Sequence, residues 1–107
     1  MGDCIFCKII KGEIPCAKIY EDSHTFAMLD IAPVHEGHAL VMSKKHCETI
    51  DTCDEETVKQ VALALKKVVK AVKEGVHAAG VNVVQNNYPA SGQLVPHLHF
   101  HVIPRGK

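Results

Sequence analysis

The chain has 107 residues and a mass of 11.7 kDa, which suffices for one compact domain spanning residues 1–107. Its 47% hydrophobic and 22% charged residues are typical of a globular protein and exclude a disordered or fibrous one. Because twelve Lys plus Arg balance twelve Asp plus Glu, the formal charge is zero, and we expect neither a nucleic-acid nor a membrane partner.

The first half of the chain predicts a short helix followed by three strands. Residues 4–10, CIFCKII, form an apolar piece of one or two helical turns. The first two strands are separated by turn residues at 22–24, which predicts a hairpin. The three predicted strands are residues 17–21, 25–29 and 38–43.

The second half contains the clearest predicted element, a helix from about Glu55 to Ala79. Asp54 is a suitable N-cap, Gly80 is the expected end, and Gly75 is a possible earlier one. Apolar residues recur every three or four positions along this segment. The lysines between them predict a solvent-facing side of the helix rather than a nucleic-acid patch.

Two further strands close the chain. Residues 81–87 read VNVVQNN and precede a turn-rich loop, whereas residues 97–103 read HLHFHVI and alternate strictly. The order of strands, one long helix and strands again favours an α+β fold, with the helix packed on one face of a sheet.

Histidine is the unusual component, since eight His outnumber the three Phe and two Tyr together. Successive side chains of a strand point to opposite faces, so His97, His99 and His101 would share one face, about 6.5–7 Å apart along the strand. Imidazole acts as a base, a nucleophile and a metal ligand. Three imidazoles in strict alternation therefore predict a functional site rather than a solvated sheet face.

Two kinds of chemistry fit this row of imidazoles. An imidazole nitrogen can attack phosphorus, while a neighbouring imidazole stabilises the charge that develops on the phosphoryl oxygens. A three-His zinc site that activates water is the alternative, but it needs a ligand from another strand, because three positions on one strand are too far apart for one tetrahedral ion. A nucleotide-binding or protein-interaction module with negligible turnover is a third interpretation.

Residues 97–103 resemble the signature of the histidine triad (HIT) nucleotide-binding family. The resemblance covers essentially the whole chain and points to the family's Hint-like branch. It implies an α+β fold with a mostly antiparallel sheet, commonly a homodimer, that binds a purine nucleoside monophosphate or its phosphoramidate. The other segments that carry the resemblance are residues 4–15, 29–31, 37–38, 44–46, 86 and 91–93.

The resemblance also implies a reaction, because Hint-like members hydrolyse nucleoside phosphoramidates and acyl nucleotides to the nucleoside monophosphate. By position, His99 is the nucleophile, His101 contacts the phosphate oxygens, and His97 orients His99 through its backbone carbonyl. Leu94 departs from the family, which often has Ser or Thr there to assist the leaving group. The residues implied to bind ribose, base and phosphate are Asp30, Ile31, Phe6, Met28, Leu40, His38, Asn86, Gly92, Gln93 and Leu94.

Cys4 and Cys7 form a C-x-x-C pair, which supplies two thiolate ligands of a tetrahedral zinc site. The resemblance implies that His46 and His97 complete the set. Four protein ligands make such a zinc ion structural, because no position stays open for water. A redox pair or two packed thiols are the alternatives.

The five cysteines are odd in number, and no secretory signal precedes them. This combination predicts a reduced, cytoplasmic compartment without paired disulfides. Cys16, Cys47 and Cys53 are therefore expected to be small apolar residues. Cys47, next to His46, is a less favoured metal contact.

Overall fold

The computed structural model describes residues 4–33 and 35–106. Within these segments the helices and strands follow one another in the predicted order. They are α1 (Ile5–Ile10), β1 (Lys18–Glu21), β2 (Thr25–Leu29), β3 (Ala39–Ser43), α2 (Glu55–Gly75), β4 (Gly80–Val84) and β5 (His99–Arg105), with a 3₁₀ turn at Pro89–Ser91 before β5.

The strands form one antiparallel sheet in the order β1-β2-β3-β5-β4, so the histidine strand β5 lies inside the sheet, between β3 and β4. The helix α2 covers one face of this sheet. The prediction of an α+β fold with a mostly antiparallel sheet and one long helix on one face is confirmed. The buried residues between α2 and the sheet are small or β-branched: Ala27, Ala39, Val41, Val61, Val68, Val72 and Val102.

The opposite face of the sheet carries the short helix α1. Phe6 and Ile9 of α1 pack against the apolar side chains Phe26, Met28, Leu40 and Met42. Along β2 and β3 these four residues alternate with the residues that face α2. His99 and His101 pair in register with Met42 and Leu40, and they share the α1 face of the sheet with these two residues. The alternation of β5 therefore brings two imidazoles beneath the N-terminal helix.

The long helix ends at Gly75, so the predicted end at Ala79 is wrong and the earlier glycine is the end. His77 takes a left-handed conformation, with φ of 56°, through which an α-helix does not continue. The backbone N–H of Ala78 then donates to the carbonyl of Lys73 at 2.9 Å and closes the terminus. Within the described residues, no helix combines the length and apolar character needed to cross a membrane.

The last two strands differ from the prediction at their ends. β4 comprises residues 80–84, because the chain then turns into a loop in which the side chains of Gln85 and Asn87 bond each other. β5 begins at His99 rather than at His97, whose carbonyl accepts a hydrogen bond from the His99 side chain. This departure from regular pairing contributes directly to the site described below.

The prediction of no paired disulfides is wrong, because Cys47 and Cys53 form a disulfide in the loop between β3 and α2. In the turn between them, Thr52 donates its backbone N–H to the carbonyl of Thr49. The Cα atoms of Cys47 and Cys53 are consequently only 5.4 Å apart. Cys47 is therefore not a metal contact, whereas Cys16 is a half-buried free thiol. A cytoplasmic location stays a prediction, without the support that unpaired cysteines would give it.

Candidate active site and metal centre

A cavity of about 320 Å³ opens between α1, the end of β2 and the middle of β5. Two imidazoles, His99 and His101, and one carboxylate, Asp30, line it. A groove of about 340 Å³ on the α2 side has no imidazole in its lining. The remaining lining of the first cavity is mostly apolar: Ile5, Phe6, Ile9, Ile14, Pro15, Cys16, Met28, Ile31, Leu40, Gly92, Leu94 and Val95.

His99 is held in one tautomer by the backbone. Its Nδ1–H donates to the carbonyl oxygen of His97 at 2.6 Å, which leaves the lone pair on Nε2. The edge of the ring packs against Phe6, with centroids 4.9 Å apart. Burial lowers the pKa of His99, so the ring is neutral near pH 7 and retains its nucleophilic lone pair.

His101 is held by His38, which immediately precedes β3. Nε2 of His38 lies 3.0 Å from Nδ1 of His101 and 3.5 Å from Oδ2 of Asp30. The hydrogen bond between the two rings needs a proton on one of the facing nitrogens, and with that proton on Nε2 of His38, His101 carries its own proton on Nε2. Burial, followed by the neighbouring imidazoles, lowers the pKa of His101, so the ring is neutral near pH 7.

A second group, which we call the thiol cluster, consists of Cys4, Cys7, His46 and His97. One ligand atom from each residue lies within 4.8 Å of all the others. Nδ1 of His97 is 3.2 Å from Sγ of Cys4, and Nδ1 of His46 is 3.3 Å from Sγ of Cys7. Two thiols and two imidazole nitrogens at these separations fit the tetrahedral coordination of Zn²⁺.

The ring of His97 is oriented oppositely to that of His99. Its Nε2–H donates to the carbonyl oxygen of Ser43 at 2.6 Å, which leaves the Nδ1 lone pair directed at the thiols. The side chain is fully buried, and burial lowers its pKa to about 4. A neutral, preoriented imidazole is the form that binds a metal.

Three residues of the predicted nucleotide set do not line the cavity within the described part of the chain. The ring of His38 contacts His101, which lines the cavity. The side-chain oxygen of Gln93 accepts from the backbone N–H of Tyr88, and its amide donates to the carbonyl of Glu48, so Gln93 fixes the loop before β5. Asn86 lies between β4 and the 3₁₀ turn.

The sequence interpretation missed several apolar lining residues. Ile5 and Ile9 come from α1, and Ile14 and Pro15 come from the loop that follows it. The signal that was available is the apolar spacing of residues 5, 6 and 9, which predicts a helix with one buried side. Ile31 and Leu94 are 96% and 93% exposed although they border the cavity.

Comparison with known proteins gives a consistent result. A family model described as HIT domain matches residues 11–107. The chain is 46% identical over 103 residues to Protein hit of Bacillus subtilis, which covers 96% of this chain and 71% of that protein. It is 44% identical over 102 residues to an adenosine 5′-monophosphoramidase of Schizosaccharomyces pombe, covering 95% and 74% of the two chains.

Solved structures share the architecture as well. A Hit-like protein from Bartonella henselae superposes with a TM-score of 0.96 at 44% identity, over 100% of this chain and 83% of that one. A Zn-bound histidine triad family protein from Mycobacterium smegmatis superposes with a TM-score of 0.92 at 39% identity, over 97% and 76% of the two chains. The likeness therefore includes the segments that build both the cavity and the thiol cluster.

Proposed function

Because the chain belongs to the HIT domain family, we propose that it is a hydrolase of substituted purine nucleoside monophosphates. Its substrates carry an amine or acyl group on the 5′-phosphate, and its product is the nucleoside monophosphate. A similar chain bears the name adenosine 5′-monophosphoramidase, which supports a phosphoramidate as the first substrate to test. The observation that carries the proposal is a neutral, preoriented His99 that borders a cavity of nucleotide size.

His99 is the nucleophile in this proposal. Its Nε2 attacks the α-phosphorus and forms a P–N bond, while the bond from phosphorus to the leaving nitrogen breaks and the released amine takes up a proton from solvent. The imidazolium so formed keeps its Nδ1–H on the carbonyl of His97, which stabilises the positive charge. Water then attacks phosphorus, releases the monophosphate and restores the neutral ring.

His101 stabilises the phosphoryl oxygens in both steps. Its ring centroid is 5.2 Å from that of His99, so the Nε2–H is close to the reacting phosphorus. In this proposal His38 donates its Nε2–H to Nδ1 of His101, so that His101 directs its own Nε2–H rather than a lone pair at the developing negative charge.

The rest of the cavity holds the nucleoside. Asp30 is the carboxylate at the cavity wall and accepts hydrogen bonds from the ribose hydroxyls, as a carboxylate has no donor of its own. Phe6, Met28 and Leu40, with Ile31 at the rim, supply apolar surface for the base. The backbone N–H groups of Gly92 and Gln93 donate to the carbonyls of Pro89 and Tyr88, so the N–H of Leu94 and the side chain of Asn86 are the proposed phosphate contacts in this loop. Gln93 belongs to the proposed group through the loop that its side chain stabilises.

The thiol cluster holds a structural Zn²⁺ in this proposal. The zinc ion, when bound, cross-links α1 to the segment before β5 and leaves no coordination position for a reacting water. The zinc-bound similar structure supports this assignment. Cys4 and Cys7 would thereby fix the position of α1, which forms one wall of the cavity. They position Phe6 and take no part in the reaction.

The decisive test uses adenosine 5′-phosphoramidate labelled on phosphorus. We expect the zinc-loaded chain to release AMP and, after rapid quenching, to carry an acid-labile label at His99. His99→Asn should bind AMP but lose both turnover and label, whereas His24→Asn, an imidazole in the β1–β2 turn, should keep both. Equal rates for wild type and His99→Asn contradict the proposal.

A nucleotide-binding module with negligible turnover is the second candidate function, and Leu94 is the observation that favours it. This side chain is 93% exposed at the cavity mouth and offers no hydroxyl to the leaving group. AMP binding without measurable release from the phosphoramidate, in wild type as in His99→Asn, supports this candidate.

We further propose that two copies associate as a homodimer. β4 is an edge strand of the sheet, and Val83 and Val84 on it are 44% and 40% exposed, which supports an interface there. Sedimentation of wild type and of Val84→Lys tests this proposal. A monomer at all accessible concentrations of the wild type contradicts it.

A further inference from the structure

A second group of metal-ligating side chains lies at the cavity wall, apart from the thiol cluster. Asp30, His38 and His101 each offer one ligand atom within 4.8 Å of the other two. The group shares no residue with the thiol cluster. Its members come from three adjacent parts of the sheet, because Asp30 follows β2, His38 precedes β3, and His101 lies in β5.

The strand register explains why these residues meet. Leu29 pairs with Ala39, so the residues just beyond them, Asp30 and His38, are neighbours as well. The backbone N–H of Asp30 donates to the carbonyl of His38 at 2.9 Å, which fixes their separation. His101 pairs with Leu40 on the third strand. The cluster is therefore placed by three adjacent strands, with His101 inside β5 and with Asp30 and His38 directly at the ends of β2 and β3.

The distances suit a transition-metal ion. Around a tetrahedral ion with bonds of about 2.0–2.1 Å, neighbouring ligand atoms lie about 3.3 Å apart. The separations here are 3.0 Å between His38 Nε2 and His101 Nδ1, and 3.5 Å between His38 Nε2 and Asp30 Oδ2. Two imidazoles with one carboxylate form a donor set that favours Zn²⁺, Co²⁺ or Cu²⁺ over Mg²⁺ or Ca²⁺.

We propose that Asp30, His38 and His101 form a second site for a divalent transition metal, and that occupation of this site excludes nucleotide from the cavity. The three protein ligands leave one position for water, and the site lacks thiolates. It therefore binds Zn²⁺ more weakly than the thiol cluster and fills after it.

The exclusion follows from the ligands themselves and rests on the function proposed above. A bound ion takes the carboxylate of Asp30 from the ribose hydroxyls. It also replaces the hydrogen bond between Nε2 of His38 and Nδ1 of His101. Because coordination through Nδ1 keeps the Nε2–H of His101, the exclusion rests on the loss of the Asp30 carboxylate. Because linkage is reciprocal, bound nucleotide weakens the metal by the same factor.

The experiment uses Co²⁺ as the probe on protein whose thiol cluster is already filled with one equivalent of Zn²⁺. We expect one further equivalent of Co²⁺ to bind, with visible d–d absorption and without the near-ultraviolet thiolate band. His38→Asn and His101→Asn should each weaken this binding by about tenfold or more. His35→Asn, in the same loop but outside the cluster, should leave it unchanged, as should His99→Asn.

Addition of AMP should raise the apparent Kd of Co²⁺ in proportion to its concentration. Absence of a second equivalent overturns the proposal, as does a second equivalent that both His38→Asn and His101→Asn retain. Cobalt that requires both imidazoles but ignores AMP supports the metal site and overturns the exclusion. Because cobalt absorption does not depend on turnover, failure of the proposed hydrolase activity is a separate outcome.

Discussion

The thiol cluster and the cavity histidines, His99 and His101, are two neighbouring regions, and His97 of the thiol cluster is only two residues from His99. In the thiol cluster, His97 is fully buried, and its free nitrogen meets two sulfur atoms. In the cavity, His99 and His101 border open space of about 320 Å³. Side chains two residues apart therefore face two thiols in one region and an open cavity in the other.

Backbone carbonyls explain the difference between these two regions. Ser43 accepts from Nε2 of His97 and leaves Nδ1 for the thiols, whereas the carbonyl of His97 accepts from Nδ1 of His99 and leaves Nε2 for the cavity. The identity of the side chain is the same in both cases. The ring nitrogen that remains reactive is selected by which carbonyl lies within 2.6 Å.

The first prediction tests whether His97 and His99 have different roles. We expect His99→Asn to lower kcat by about 10⁴-fold or more, because it removes the attacking nitrogen, while changing Tm less than His97→Asn does. His97→Asn should lose zinc and stability. Turnover of the phosphoramidate and thermal unfolding, measured side by side, check this. Equal losses of Tm in the two variants would show that the regions do not divide the roles.

Removal of zinc tests the structural role proposed for the thiol cluster. At free zinc about 1,000 times its Kd, linkage stabilises the folded chain by about 4 kcal/mol, and Cys4→Ser should lose most of this. Denaturant unfolding with and without a chelator measures the difference. Cys16→Ser, which removes a thiol outside the cluster, is the control and should keep its response to zinc.

His101→Asn tests the division of labour within the cavity. Loss of one donor to the phosphoryl oxygens should lower kcat by about 10²–10³-fold, less than loss of the nucleophile. Because Nε2 of His99 remains, the labelled intermediate should still form, only more slowly. Single-turnover quenching measures this rate, and an intermediate that forms at the wild-type rate contradicts the role.

The disulfide between Cys47 and Cys53 lies in the β3–α2 loop, which also contains His46 of the thiol cluster. Cys47 and Cys53 close a loop with a sequence separation of six, for which chain entropy predicts about 2 kcal/mol of stabilisation. Cys53→Ser should lose this stability while keeping kcat, because neither sulfur lines the cavity. A kcat that falls as strongly as in His101→Asn would link the loop to the reaction.

Leu94→Ser is expected to have the smallest effect. A hydroxyl at the cavity mouth adds one hydrogen bond to the leaving group, of about 1 kcal/mol, which corresponds to about fivefold in rate. The gain should be larger for poor amine leaving groups than for acyl ones. Rates across a series of phosphoramidates test it, and Leu94→Ala separates the hydroxyl from the loss of bulk.

Short-range patterns in the sequence were sufficient for the elements of this fold. Alternation identified β5, the turn at 22–24 identified a hairpin, and Asp54 does accept from the backbone N–H of Thr57 at the start of α2. These features depend on residues within a few positions of each other, so they can be predicted from the sequence. The exact ends depend on longer contacts, as His77 and the carbonyl of His97 illustrate.

The sequence by itself determined that three histidines alternate along a predicted strand and that two thiols, Cys4 and Cys7, belong to a short apolar helical segment. Only the tertiary structure decided that His97 turns to the thiols, that Gln93 bonds backbone, that Cys47 reaches Cys53, and that Asp30 meets two imidazoles. The physical reason is that hydrogen-bond partners and neighbours in space come from distant parts of the chain. Strand register and packing, rather than local spacing, bring them together.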